Sequence, residues 1–277
     1  MNHWHYGNYA PPHPIPPALP RADRGDYTVA GHWLLARLGK RVLRPGGMHL
    51  TRALLADAGV SNADVVEFAP GMGRTAAEIL ARGPRSYLGV ELDADAADTA
   101  ALVAGQDNVR VGDAAHTGLP DGSADVVIGE SLLTLHDGDA KEAIVAEAVR
   151  LLRPGGRYAV HELAMAPDTM AEAADIAGQL AGAALTKIRP MTVAEWEQLL
   201  TAAGLTVGRV RIARASPLTL RRQIADEGVW GTVRFAVKLA RHPEARRRVR
   251  QLRVSYSRHR AHLAAVGLVA YKPEAGT

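Results

Sequence analysis

The sequence predicts an α/β protein built on one mostly parallel sheet with helices on both faces. Three observations predict it. Short β-branched runs alternate with helical segments through the middle of the chain, and such alternation builds a parallel sheet through crossovers. The run Val65-Val66-Glu67-Phe68 drives into Ala69-Pro70-Gly71-Met72-Gly73 and then into the helical segment Thr75 to Arg82. Glycine lacks the Cβ that blocks a ligand and tolerates positive φ, so this turn suits close approach of backbone to a bound molecule. About 20 residues past Gly71 a second strand, Tyr87-Leu88-Gly89-Val90, ends in Glu91, where an open α/β sheet places the acid that grips a ribose.

Residues 1–26 are rich in Pro, His and aromatics, a composition that favours extended chain. They read as a loose tail, or as a tail that folds over the site or onto a second copy with Trp4 and Tyr6 as anchors. His3, His5 and His13 lack a fourth ligand or a nearby acid, so no metal site is expected there. Residues 27–58 read as a helical cap. Ala30, Trp33, Leu34 and Leu38 fall at helical spacing, Leu50, Leu54 and Leu55 do so again, and Arg44-Pro45-Gly46-Gly47 breaks the chain between them.

Residues 59–277 carry the main domain. Strands are expected at Val65–Phe68, Tyr87–Glu91, Val109–Val111, Val126–Ile128 and Tyr158–His161, and helices near 75–82, 94–104, 139–152, 169–184 and 192–203. Thr192 and Glu195 form a capping box at the last of these helices. Leu205–Ala213 reads as a sixth strand and Leu263–Tyr271 as a seventh. Between them, 216–262 is a basic helical insertion in which Val229, Val233, Ala236, Val237 and Ala240 give one amphipathic helix. The sixth strand is parallel, so the insertion leaves it on the ligand side of the sheet.

Two cofactors suit the turn. Gly71-x-Gly73-x-x-Ala76 meets the dinucleotide pattern, which leaves a nicotinamide oxidoreductase open. Glu67 weighs the other way. A carboxylate at the mouth of the turn repels a pyrophosphate but pairs with an ammonium, and S-adenosylmethionine carries an ammonium, a sulfonium and no phosphate.

From about residue 45 to 271 the chain resembles the class I S-adenosylmethionine-dependent methyltransferases. Five segments carry the resemblance in order: Glu67–Gly73, Gly89-Val90-Glu91-Leu92, Val111-Gly112-Asp113-Ala114, Leu119–Val127 and Leu151–Arg157. One departure is Ala69, where many members have glycine. The resemblance implies a seven-stranded Rossmann-like methyltransferase sheet whose last strand is antiparallel, with S-adenosylmethionine as cofactor and S-adenosylhomocysteine as product. It implies that Glu67 holds the methionine ammonium, that Ala69, Gly71 and Gly73 shape the turn, and that Glu91 with Leu92 meets the ribose. Asp113 and Ala114 would meet the adenine, and Glu130 would sit beside the cofactor. Helices ahead of the first strand form part of the substrate wall in this family, which makes Tyr27, His32 and Trp33 candidates. Trp230 of the insertion is a further one.

Composition narrows the function. With 47% hydrophobic residues a full core can be buried, and the absence of cysteine excludes disulfides, thiolate chemistry and Cys-ligated zinc. It also argues against the arsenite-methylating relatives. No apolar stretch spans a bilayer and no secretory signal is read, so a cytoplasmic protein is expected. Residues 211–260 hold 13 arginines and one lysine against three acids, while the whole chain carries only +4. That segment is a solvated face, a cationic helix that meets an anionic or lipid-like substrate or a membrane surface, or a contact with a second copy. Nucleic acid ranks last, because few aromatics interleave with the arginines.

Methyl transfer from a sulfonium is an in-line displacement, and a base is needed only if the acceptor must lose a proton. Candidates at the strand ends are Glu130, His136, His161 and Glu162, with His161 a base by its near-neutral pKa. The family has no universal catalytic residue, and no metal is expected. The sequence thus points to methyl transfer to a small-molecule acceptor, quinone-like or from natural-product tailoring. The alternatives are an RNA or protein methyltransferase and a non-catalytic cofactor-binding scaffold.

Overall fold

A computed structural model describes residues 25–167, 172–215 and 218–274. The tail expectations for Trp4, Tyr6 and the three histidines fall outside those residues.

The sheet has the order β3-β2-β1-β4-β5-β8-β7. Its strands are β1 (Asp64–Phe68), β2 (Ser86–Glu91), β3 (Val109–Val111), β4 (Ala124–Glu130), β5 (Leu152–Met165), β7 (Thr206–Arg214) and β8 (Leu263–Tyr271). A two-residue β6 (Met191–Thr192) pairs with the end of β5 and makes the strand count eight rather than seven. β1 to β5 run parallel, and β8 lies antiparallel between β5 and β7. The last strand is therefore antiparallel, as the resemblance implied.

Helices cover both faces, as two-faced burial of β1 and β4 demands. On one face Ile144, Val145 and Leu151 of α5 (Gly138–Leu151) and Trp196 and Leu200 of α7 (Val193–Ala202) pack on Phe68, Val127 and Tyr158. On the other, Leu54 and Leu55 of α2 (Gly47–Ala58), Ile79 of α3 (Arg74–Leu80) and Ala104 of α4 (Ala94–Ala104) pack on Val65, Val126 and Val269. The Thr192–Glu195 capping box is present at α7.

β5 starts at Leu152, ahead of the expected Tyr158. Leu152 pairs with Ala124, and pairing resumes only at Arg157 with Val126, so the Arg153–Gly156 turn is a bulge inside the strand. Gly155 supplies its positive φ of 73°.

Above the carboxyl ends of the strands lie α1 (Gly31–Arg37), α6 (Ala173–Ala184), α8 (Leu220–Arg241) and α9 (Pro243–Arg258). The insertion is thus two helices. Gly228, at φ 73° and ψ 174°, breaks α8 and re-phases its second half. Phe235 and Leu239 turn inward onto α1 and α9. The apolar stripe of the amphipathic helix turns outward, with Val229 63%, Val233 45% and Val237 43% exposed.

Candidate active site

At the carboxyl edge of the sheet, the turn after β1 opens into a cavity of about 650 Å³. Ala69 to Met72 form one wall, Glu91, Leu92 and Asp93 continue it past β2, and Glu130, Ser131 and Leu132 continue it past β4. His32 and Trp33 of α1, Lys40, Arg41 and Leu43 to Pro45 of the following connection, Leu185, Thr186 and Ile188, and Tyr256 of α9 also line the cavity. Four non-glycine residues among those described have positive φ, and three of them line this cavity: Ala69 at 53°, Ser131 at 55° and Leu185 at 50°. Such strain gathers where the surroundings fix a functional geometry. The Ser131 hydroxyl is buried there with no hydrogen-bond partner among the described residues.

The two glycines of the turn serve different ends. A Cβ on Gly71 (φ 55°) would meet only the Ala69 carbonyl, at 3.9 Å, and would fill cavity space. A Cβ on Gly73 (φ 69°) would come within 3.1 Å of Val103 and 3.3 Å of the Ala100 Cα, so this glycine lets the turn pack on α4. Glu91 accepts the Gly71 N–H at 2.9 Å and the Asp93 N–H at 3.1 Å, and burial raises its pKa. An open glycine cradle beside a buried strand-end acid fits a nucleoside cofactor.

Several expected residues lie elsewhere. Glu67 is buried beneath the turn, does not line the cavity, and accepts the Tyr87 hydroxyl at 2.6 Å. Burial, opposed by that bond, pushes its pKa to about 8, so it is largely protonated at neutral pH. Asp113 is exposed and accepts the Ala115 N–H at 2.8 Å, while Ala114 is buried. Of the proposed wall, His32 and Trp33 line the cavity, but Tyr27 does not, and Trp230 is 79% exposed on the outer side of α8. Burial lowers His32 to about 4, which keeps it neutral.

The base candidates are committed to the framework. His161 is fully buried; its Nε2 accepts the Gly46 backbone N–H at 3.0 Å, so its proton sits on Nδ1 and is donated to Glu130 Oε1 at 2.7 Å. Burial lowers its pKa. Glu130 lines the cavity, yet both its oxygens are used. Thr51 donates to Oε1 at 2.6 Å, and Oε2 receives Thr75 and pairs with Arg44 at 3.1 Å. Burial resists its ionisation, but Arg44 and the His161 bond hold it at about 2. Glu162 is fully buried and accepts the backbone N–H groups of Leu132, Leu133 and Thr134 and the Thr134 hydroxyl. Burial pushes it to about 7, and it fixes the loop after β4 rather than reaching the cavity. His136 shares Nδ1 with the Leu132 carbonyl at 2.9 Å and does not line the cavity.

Sequence reasoning missed the cations. Lys40, Arg41, Arg44 and Arg74 all line the cavity beside Glu91, Asp93 and Glu130, so its lining is mixed in sign. Lys40 lies 3.7 Å from Asp226, and Arg41 pairs with Glu227 at 3.3 Å. Arg74 has no ion pair among the described residues, and burial lowers its pKa. Arg44 opens the Arg-Pro-Gly-Gly string, whose glycines drew attention only as a chain break. Its spacing from Glu130 carries no local signal.

A doubly wound sheet with this turn and this strand-end acid defines the class of α/β enzymes that bind a nucleoside cofactor at the carboxyl edge. Comparison narrows the class. Residues 66–160 match the family model described as a methyltransferase domain. An uncharacterized protein of Haemophilus influenzae is 30% identical over 245 residues, covering 85% of this chain and 96% of the relative. Among solved structures, phosphoethanolamine N-methyltransferase 2 of Haemonchus contortus superposes with a TM-score of 0.67 at 15% identity, over 92% of this chain and 59% of its own. Geranyl diphosphate C-methyltransferase of Streptomyces coelicolor A3(2) gives 0.59 at 18% identity, over 81% of this chain and 77% of its own. Residues 66–160 are a methyltransferase domain, the fold is that of the class I methyltransferases, and the chain is an enzyme that uses S-adenosylmethionine.

Proposed function

We propose that the enzyme methylates a small-molecule acceptor held in the cavity between the glycine turn and the helices above it. The carrying observation is that apolar side chains, among them Leu35, Leu43, Leu163, Ile188 and Leu252, line the cavity beside its cations. Such a lining suits an apolar or aromatic acceptor.

The cofactor supplies an activated methyl group on a sulfonium. Gly71 leaves room for it, and Glu91 would accept the ribose hydroxyls. Asp113 and Ala114 remain the proposed adenine contacts. The methionine end carries a carboxylate as well as an ammonium, and Arg74 at the exit of the turn suits the carboxylate. Glu67 would take the ammonium only by losing its proton. His32, Trp33 and the Ser131 hydroxyl would orient the acceptor. Because Glu130, His161 and Glu162 are saturated with hydrogen bonds, none of them serves as the base. The acceptor then reacts as a group already nucleophilic near neutral pH.

The domain division follows the same reading: residues 27–58 and the 216–262 insertion cover a catalytic domain that holds the cofactor. The experiment is incubation with methyl-labelled cofactor and a cell extract, followed by organic extraction. Label in a small organic-soluble product supports the proposal. Label in RNA or protein supports the polymer reading, and tight cofactor binding without transfer supports a scaffold.

A further inference from the structure

The second half of α8 is apolar on the side it turns to solvent. Val229, Trp230, Val233 and Val237 are 63, 79, 45 and 43% exposed. Helical spacing gathers them with Ala236 and Ala240 into one stripe, and Arg234, Lys238 and Arg241 run along its flank. Leu220 and Ile224, also exposed, lie ahead of the Gly228 break. A contiguous exposed apolar face rimmed by charge marks an interaction surface.

A groove between β7 and α8 is also bordered by the first half of that helix. Ile212, Ala213 and Leu263 line its apolar part, and Arg214, Arg221, Arg222 and Arg260 line the rest, with no acid among the lining residues. None of these arginines forms an ion pair among the described residues. Two of the three acids in 211–260, Asp226 and Glu227, are buried and bonded to the 40–48 connection. The outward charge of the insertion is therefore almost wholly uncompensated.

We propose that this face docks on an anionic phospholipid surface. The apolar stripe enters the headgroup boundary, and the groove and flank arginines meet lipid phosphates. Charge decides against a second copy, because an isologous contact would set the same cations against themselves. It would also fit nucleic acid poorly, since Val229, Val233 and Val237 would then lie against phosphates.

The test is cosedimentation with vesicles of phosphatidylglycerol and phosphatidylcholine, against phosphatidylcholine alone, at low and high salt. The full chain is compared with W230S/V233S and with R221E/R234E, neither of which touches the catalytic cavity. Circular dichroism and cofactor affinity check that both variants are folded. The expected result is sedimentation with the anionic vesicles only, weakened by salt. W230S/V233S should lose it, and the charge reversals should lower partitioning at least about fivefold per arginine. Equal binding by wild type and both variants, or no vesicle binding at all, overturns the proposal. So does a concentration-dependent dimer that W230S/V233S abolishes without any vesicle binding.

Discussion

The backbone N–H of Gly46 donates to Nε2 of His161 at 3.0 Å, joining two positions 115 residues apart in the chain. That bond fixes the imidazole tautomer, aims Nδ1–H at Glu130 and ties the loop before α2 to the middle of β5. A Cβ at position 46 would lie 2.6 Å from Nε2 and 2.5 Å from a Leu50 methyl carbon. Gly46 has φ −86°, so a side chain there is refused by space and not by backbone strain. Gly46→Ala should destabilise the fold by about 1–3 kcal/mol through overpacking and weaken cofactor binding. A wild-type denaturation midpoint would contradict this geometry.

His161 should not appear in the pH–rate profile. Its two nitrogens are engaged and burial keeps it neutral. A His161→Gln variant that folds should lose stability, yet keep the shape of kcat against pH. A profile whose acid limb disappears in the variant would restore the imidazole as a base.

Glu67 gives a signed pH dependence. Its pKa of about 8 lies above the unfolded value of about 4.3, so the folded state binds the extra proton. The stabilising contribution is full below the unfolded pKa and is lost as pH rises toward and through 8. Glu67→Gln, which keeps an acceptor for Tyr87, should flatten the fall in melting temperature across that window. If the cofactor ammonium reaches Glu67, binding at pH 7 must also release a proton. Calorimetry in buffers of different ionisation enthalpy reads that release, and its absence takes Glu67 out of the ammonium role.

Glu91→Ala should abolish detectable cofactor binding in calorimetry while leaving the fold intact. Asp113→Ala should weaken binding by about 1–3 kcal/mol, the scale of a lost hydrogen bond to a charged group. Unchanged affinity in either variant removes that residue from its proposed contact.

Glu227 accepts the backbone N–H groups of Arg41 and Val42, each at 2.8 Å, and Asp226 accepts the Met48 N–H at 3.0 Å. These two acids fasten the cationic connection that lines the cavity. Glu227→Ala should cost about 3–5 kcal/mol or release that connection locally, because it strands buried donors. Hydrogen exchange at Arg41 and Val42 should rise well above that of the β1 amides. Unaltered protection would show that the clasp is dispensable.

Arg248 is buried on α9 and donates to the carbonyls of Asp26, Tyr27 and Val29. Arg248→Met should free residues 25–30, read as new protease cleavage there with little change in the sheet.

The sequence by itself determined the sheet, its turn and its cofactor class. Strand patterning, the Gly71–Gly73 turn and the position of Glu91 are local features, visible within about 30 residues of chain, and hydrophobic period and glycine placement report them directly. Only the tertiary structure decided which strand-end groups are free. His161 and Glu130 look like catalytic residues in sequence, yet their partners Gly46, Thr51 and Arg44 stand more than 70 residues away, and burial with those partners rather than spacing sets their protonation. The direction of the insertion was hidden for a related reason. The apolar period of α8 is legible, but the left-handed backbone of Gly228 rotates its second half, and only the packing of Phe235 and Leu239 shows which side faces the protein.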